Sequence, residues 1–160
     1  MKRMSQAGFT LVEIMIVVAI IALLAAIAIP NVLRGRATAN ETAAISNLRT
    51  LASSAEMFRS TNTVFPAVWN VATMNPGNGQ PAYAPLNFLT IGAGQLVQGY
   101  TYTYAIGGTN QQYTITSAPQ ANQGSRAFFI DESGVVRHCI GAAATVASVT
   151  IDQQPNNPCP

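Results

Sequence analysis

Residues 14–33 (IMIVVAIIALLAAIAIPNVL) form a run of twenty residues without one charged side chain. As a helix rising about 1.5 Å per residue, such a run covers roughly 30 Å, the thickness of a bilayer's hydrocarbon core. Glu13 closes it on one side and Arg34 on the other. In a chain of 160 residues, which leaves room for one compact domain beside it, the run predicts a single span with the remaining sequence beyond the membrane. The apolar content of 49% therefore mixes a membrane segment with an ordinary core.

Charge is sparse elsewhere. Without residues 1–8, which hold Lys2 and Arg3, six Arg face Glu13, Glu41, Glu56, Asp131, Glu132 and Asp152, a formal balance of zero. A balanced chain has no basic field for nucleic acid, and no sequence-specific nucleic-acid binding is expected. Residues 60–125 contain no Asp, Glu, Lys, Arg or His. Their polarity comes from Asn, Gln, Ser, Thr and Tyr, a surface that packs against neighbours without burying charge and offers little for acid and base chemistry.

The opening MKRMSQAG begins like a positively charged export signal. An ordinary signal is cut after its apolar core, whereas here a lone Gly8 precedes the core and a carboxylate, Glu13, sits just inside it. The string GFTLVEIMIVVAIIALLAAIAIP, residues 8–30, resembles the processing and assembly segment of type IV pilins and of the pseudopilins of type II secretion. The likeness continues loosely through an Ala-rich helix to about Ser60. It departs at Ala22, where many members carry Gly; Ala is still small enough for close helix packing.

The resemblance implies that Gly8 ends a leader cut by a membrane aspartic peptidase, and that Phe9 becomes the N-methylated N-terminus. Glycine suits that place, because a residue without a side chain brings the scissile bond close to a protease. The competing reading is an uncut signal anchor in which Gly8 is a linker residue. The resemblance also implies that Glu13 pairs with the N-terminal amine of a neighbouring subunit, against the competing reading that its own helix dipole and its own chain's Phe9 ammonium neutralise it, and that the stretch around Pro30 partly unwinds when a subunit leaves the bilayer for a filament. Pro30 lacks an N–H for the carbonyl of Ala26, so a kink is expected there in either case. Flanking charge does not set the orientation, since Arg34 and Arg36 match Lys2 and Arg3. The leader motif and the cysteines favour a cytoplasmic N-terminus in the bacterial inner membrane before assembly, and an extracellular filament after it.

Beyond Asn40, Ala44, Leu48, Leu51, Ala55 and Phe58 recur at helical spacing, with Asn47, Arg49, Ser53, Ser54 and Glu56 on a more polar side. Such a stripe buries against a sheet. Pro66, Pro76, Gly77, Gly79, Pro81 and Pro85 then mark a long, ordered connecting loop with at most short elements, anchored by Trp69 and Phe88. Strand signals follow: alternation in GYTYTYAIGG and QQYTITSA, and RAFFI and VVRHC around a turn at residues 131–134. The expected fold class is α+β, the pilin fold: a long N-terminal helix packed on a C-terminal antiparallel sheet. Its expected divisions are a removed leader 1–8, a membrane and assembly half-helix 9–33, an amphipathic half 34–60, a connecting region 61–99, and the sheet with a C-terminal loop 100–160.

No catalytic residue, cofactor or metal site is expected. Asp131 and Glu132 are adjacent carboxylates whose side chains diverge, in a sequence with strong turn chemistry. His138 is the lone histidine, and beside Cys139 on a strand it faces the other way, so the two make a poor chelate. Some pseudopilins bind calcium near the C-terminus; with only Asp152 after Glu132, this chain offers little for it. Cys139 and Cys159, outside the cytoplasm, are expected to close one disulfide rather than remain two thiols, worth roughly 3 kcal/mol in the loop-entropy model. The expected function is a structural subunit of a type IV pilus. Its alternatives are the major pseudopilin of a type II secretion system, or a minor tip-located pilin for adhesion or DNA capture. The expected partners are further copies of the chain, the prepilin peptidase and methyltransferase, an inner-membrane assembly platform, and the bilayer before assembly.

Overall fold

In a computed structural model of the chain, the described residues are 8–77, 79, 81–91, 94–140 and the backbone of 149–150. One helix, α1 (Leu11–Asn62), dominates the N-terminal part. The chain divides into two units, Met1–Arg36 and Ala37–Pro160, and each has its own chemistry.

In the first unit the apolar side chains have no core to enter. Ile14, Leu24 and Ile29 are 50%, 62% and 58% exposed. The stretch is long and apolar enough to cross a membrane, and a surface of this kind needs lipid or another protein over it. Helix α1 runs on through Pro30. Asn31 Nδ2 donates to the Ile27 carbonyl at 3.1 Å, which gives the backbone an acceptor's partner next to the place where the proline has no N–H.

In the second unit the rest of α1 is amphipathic. Ala44, Leu48, Leu51 and Ala55 are fully buried, and Phe58 packs partly buried beside them. Ser54, which the sequence pattern puts on the polar side, is buried too. Its hydroxyl donates to the Thr50 carbonyl at 2.9 Å, so it enters the core without an unmet hydrogen bond.

Among the described residues six antiparallel strands follow in sequential order: β1 (Gln95–Val97), β2 (Tyr100–Ile106), β3 (Tyr113–Pro119), β4 (Arg126–Asp131), β5 (Arg137–Ile140) and β6 (Val149–Thr150). Strand β1 lies in what the sequence shows as connecting loop. It has only three residues and no alternation of aromatic side chains, so nothing local marks it. Its pairing with β2 is made by the turn at Gln98 and Gly99, both at positive φ. Gly99 is required there twice over, because a Cβ would also stand 2.8 Å from the Gln123 side chain and 2.9 Å from Asn40 Nδ2.

Alternation sorts the sheet's side chains. Tyr100, Tyr102, Tyr104, Tyr113, Ile115, Phe128 and Ile130 share one core with the buried stripe of α1. The hydroxyls of three of these tyrosines are met: Tyr100 donates to the Arg126 carbonyl (2.8 Å), Tyr104 to the Pro66 carbonyl (2.7 Å), and Tyr102 accepts from Asn47 Nδ2 (3.0 Å). Burial pushes all these phenols upward, Tyr102 to about 12. Ala127, Phe129 and Cys139 form a smaller buried cluster on the opposite face of β4 and β5. The connecting region is tied in by Trp69, whose indole N–H donates to the Phe88 carbonyl at 2.6 Å, and by Phe65, Met74 and Ile91 in the same core.

Candidate assembly site

Gly8, Phe9 and Thr10 precede α1 in no regular element. Nothing lies within 4 Å of a Cβ placed on Gly8, and Phe9 is 84% exposed.

Thr10 and Glu13 close the helix start reciprocally. Glu13 Oε2 accepts from the Thr10 N–H and from the Thr10 hydroxyl, both at 2.8 Å, and the Glu13 N–H donates back to Thr10 Oγ1 at 3.2 Å. A Thr followed three residues later by Glu, directly before an apolar run, is a capping box. The pattern T-L-V-E at residues 10–13 carries this signal in the sequence itself. Both bonds to the carboxylate fall on Oε2, so the second carboxylate oxygen carries none among the described residues.

A second polar cluster lies wholly in the globular unit. Glu41 is 7% exposed. Its Oε1 accepts from the Ser125 N–H (2.9 Å) and hydroxyl (3.0 Å), and its Oε2 from Arg126 Nε (2.8 Å). Burial works against the ionised Glu41, but the Ser125 amide and the Arg126 guanidinium outweigh it and hold the carboxyl below its ordinary range. Nearby, Asn40 Nδ2 donates to the Gln123 carbonyl and side chain. Neither Glu41 nor Ser125 stands out in the sequence; 84 residues separate them.

The remaining sequence candidates fall as follows. Asp131 ends β4 and accepts from the Ser133 N–H and hydroxyl, and from Arg137 at 2.8 Å. The Gly134 N–H returns to the Asp131 carbonyl at 3.0 Å, closing the turn. Glu132 takes no part in this arrangement and is exposed. His138 pairs across from Phe128 and packs its ring against it, 6.4 Å between centroids, while Cys139 pairs across from Ala127 on the other face. Cys159 lies outside the described residues, as does Asp152.

Known proteins resemble the chain where this N-terminal geometry lies. The family model described as the prokaryotic N-terminal methylation motif matches residues 3–29. The chain is thus similar, over its N-terminal third to half, to type IV pilins and type II secretion pseudopilins. Type II secretion system core protein G of Pseudomonas aeruginosa is 34% identical over 85 residues, 51% of this chain and 60% of that protein. The type IV wide pilus major component PilA4 of Thermus thermophilus is 45% identical over 58 residues, 36% of this chain and 44% of that protein. The type IV major pilin protein PilA of Myxococcus xanthus is 51% identical over 51 residues, 32% of this chain and 23% of that protein. The chain spans about half the length of the core protein G relatives it matches.

Proposed function

We propose that the chain is a structural subunit of a type IV pilus, cut between Gly8 and Phe9, N-methylated at Phe9 and polymerised with copies of itself through the apolar half of α1. The observation that carries this is the exposed, charge-free helix surface headed by one carboxylate, Glu13. Stacked side by side with other copies, such helices cover the apolar surface that lipid covers before assembly. The higher identity over the matched stretch to two major pilins, 45% and 51%, favours the pilus. The subunit sits in the inner membrane with its N-terminus cytoplasmic and its globular unit outside, where a bridge between Cys139 and Cys159 closes the C-terminal loop. Its titratable groups in the globular core serve packing: Glu41 and Asp131 are each spent on an arginine.

A second reading, the major pseudopilin of a type II secretion system, draws on the longer aligned stretch with core protein G, 85 residues. Deleting the gene separates the two. Loss of a surface filament from sheared cells, with exoprotein secretion intact, is the result expected of a pilin; loss of secretion with the pilus intact overturns that assignment in favour of the pseudopilin.

A further inference from the structure

We propose that the globular unit carries a docking surface for a second copy of the chain: the turn at residues 131–134 of one copy, with Glu132 on it, seats in a groove beside α1 of the next, against Arg49. The contact goes beyond the pilin reading and rests on the side-by-side packing of copies in that reading.

The charges of the globular unit point to this pair. Glu41 holds Arg126 at 2.7 Å, Asp131 holds Arg137 at 2.8 Å, and Glu56 lies 3.8 Å from Arg59. Among the described residues no ion pair reaches Arg49 or Glu132, and both side chains are exposed. They have opposite sign. Residues 60–125 add no Asp, Glu, Lys, Arg or His to the surface between them. On a surface so poor in charge, an exposed cation and an exposed anion complement each other, and such complementarity selects partner and register even where it adds little affinity.

Both places are shaped for contact. The groove, about 720 Å³, lies between α1 and the segment leading towards β1, and Arg49 is the one charged side chain among the described residues that line it. Ser46, Thr50 and Ser53 are short enough to admit an approaching backbone, while Met57 and Leu86, 48% and 74% exposed, offer apolar surface. The turn is stiff. Asp131 accepts from the Ser133 N–H at 3.0 Å and from Arg137 at 2.8 Å, and the Gly134 N–H returns to the Asp131 carbonyl at 3.0 Å. Glu132 and Val135 stand exposed on this frame, so docking costs little backbone order.

Their positions give the contact a direction. Glu41 meets Arg126 at the start of β4, whereas Asp131 ends β4 across from Thr114, beside Tyr113, whose ring packs on Phe65 beyond the end of α1. The turn therefore stands at the end of the unit remote from Glu41, while Arg49 follows Glu41 by about two helical turns. Unlike surfaces meet. Each copy offers one groove and one turn, a heterologous contact that can repeat from copy to copy into an open filament.

The test joins the two places covalently. Arg49→Cys and Glu132→Cys are combined in one chain made as the sole subunit, sheared filaments are oxidised with copper phenanthroline, and immunoblots are run without reductant. The double variant is expected to give a ladder of dimers, trimers and larger species, and wild type and each single variant none. Should the double variant fail to assemble, the two single variants are co-expressed with wild type, and only dimers carrying one of each are expected. Arg49→Glu is expected to lower filament yield about tenfold, and adding Glu132→Arg to restore it to within about twofold, because facing like charges repel and the exchange restores attraction. Filaments that give neither ladder nor mixed dimers overturn the contact and leave the pilin reading standing. Dimers from one single variant alone also overturn it, because like then faces like. A ladder from Arg36→Cys with Glu132→Cys, and none from Arg49→Cys with Glu132→Cys, moves the turn to Arg36 and overturns the groove. Failure of the wild-type chain to form any filament removes the reading on which the contact rests.

Discussion

Both Arg126 Nε and one of its terminal nitrogens reach the same oxygen of Glu41, Oε2, at 2.8 and 2.7 Å. The other oxygen is filled by Ser125. A carboxylate on α1 thus ties down the first residue of β4 and the loop before it, where Asn40, the residue before Glu41, bonds to Gln123. The Arg126 guanidinium also lies over the Phe128 ring, 5.8 Å from its centroid. The pair is largely withdrawn from water, with side-chain exposures of 29% and 9%, so removing one partner leaves the other's charge poorly hydrated.

Glu41→Ala is accordingly expected to destabilise the globular unit by about 2–4 kcal/mol, the range for breaking a partly buried, hydrogen-bonded charge pair. Trp69, the one tryptophan, is 2% exposed and reports unfolding by a red shift of its emission. Denaturant titrations of wild type, Glu41→Ala, Arg126→Ala and the double variant close a cycle. A coupling energy near zero means that the two residues act independently.

The same geometry fixes the pH response. In the folded chain burial opposes ionisation of Glu41 and Asp131, yet the bonds from Ser125 and Arg126, and from Ser133 and Arg137, hold both carboxyls below their ordinary values of 4.5 and 3.8. The unfolded chain then binds more protons in acid, so the contribution is complete above those values and is lost as pH falls through the lower folded ones. The denaturation midpoint should be flat from neutrality to about pH 5 and fall below about pH 4, less steeply in Glu41→Gln. A midpoint that begins to fall between pH 7 and 6 contradicts these assignments.

Period and punctuation made much of the architecture readable. Ala44, Leu48, Leu51 and Ala55 repeat at helical spacing, Tyr100, Tyr102 and Tyr104 at strand spacing, and each set shares a face because the two periods differ. What stayed hidden depends on partners far along the chain. Strand β1 exists through its register with β2, and Gln95–Val97 show no pattern of their own. Glu41 looks like any solvated helix glutamate until Ser125 and Arg126 fold against it. Ser54 enters the core because its hydroxyl finds a carbonyl within its own helix, which hydropathy does not register. At the candidate site the opposite holds: Thr10 and Glu13 are local, and their spacing alone writes the capping box.

The C-terminal cysteines are testable by a bond and by a stability. Cys139 is fully buried beside Ala127 and Phe129, on the sheet face turned away from the α1 stripe. Cys139→Ser is expected to cost about 3 kcal/mol or less, combining lost loop constraint with a hydroxyl in an apolar place. Non-reducing peptide mapping should recover residues 139 and 159 in one linked pair within a subunit. Linkage between chains, or two alkylatable thiols, runs against it.

Leader processing can be separated from folding at Gly8. Among the described residues a Cβ there meets nothing within 4 Å, so a processing defect in Gly8→Leu is expected to belong to the peptidase rather than to the fold. Gly8→Leu should accumulate as membrane-inserted precursor carrying Met1, while wild-type filaments give the intact mass of a chain starting at N-methyl-Phe9. Met1 on assembled wild-type subunits refutes the cleavage site.

Glu13 poses the last choice, between a residue that caps its own helix and one that pairs with another copy. The capping box alone accounts for a carboxylate at this position, since Thr10 supplies two donors and the helix dipole favours an anion in the first turn. Glutamine separates the two roles. It fills the third position of a capping box nearly as well as glutamate but carries no charge, whereas alanine loses both functions. If Glu13 serves only its own helix, Glu13→Gln assembles like wild type and Glu13→Ala is impaired through a weaker helix start. If Glu13 pairs with the Phe9 ammonium of a neighbour, an unpaired charge in a water-poor helix bundle is costly, and it sets the axial stagger where apolar contacts alone can slide. Both variants should then be inserted and processed normally, and neither should form filaments on its own. Electron microscopy of sheared material from cells expressing each variant as the sole subunit reads the outcome. Filaments of normal length, number and stagger from Glu13→Gln would leave the carboxylate with its cap and nothing more.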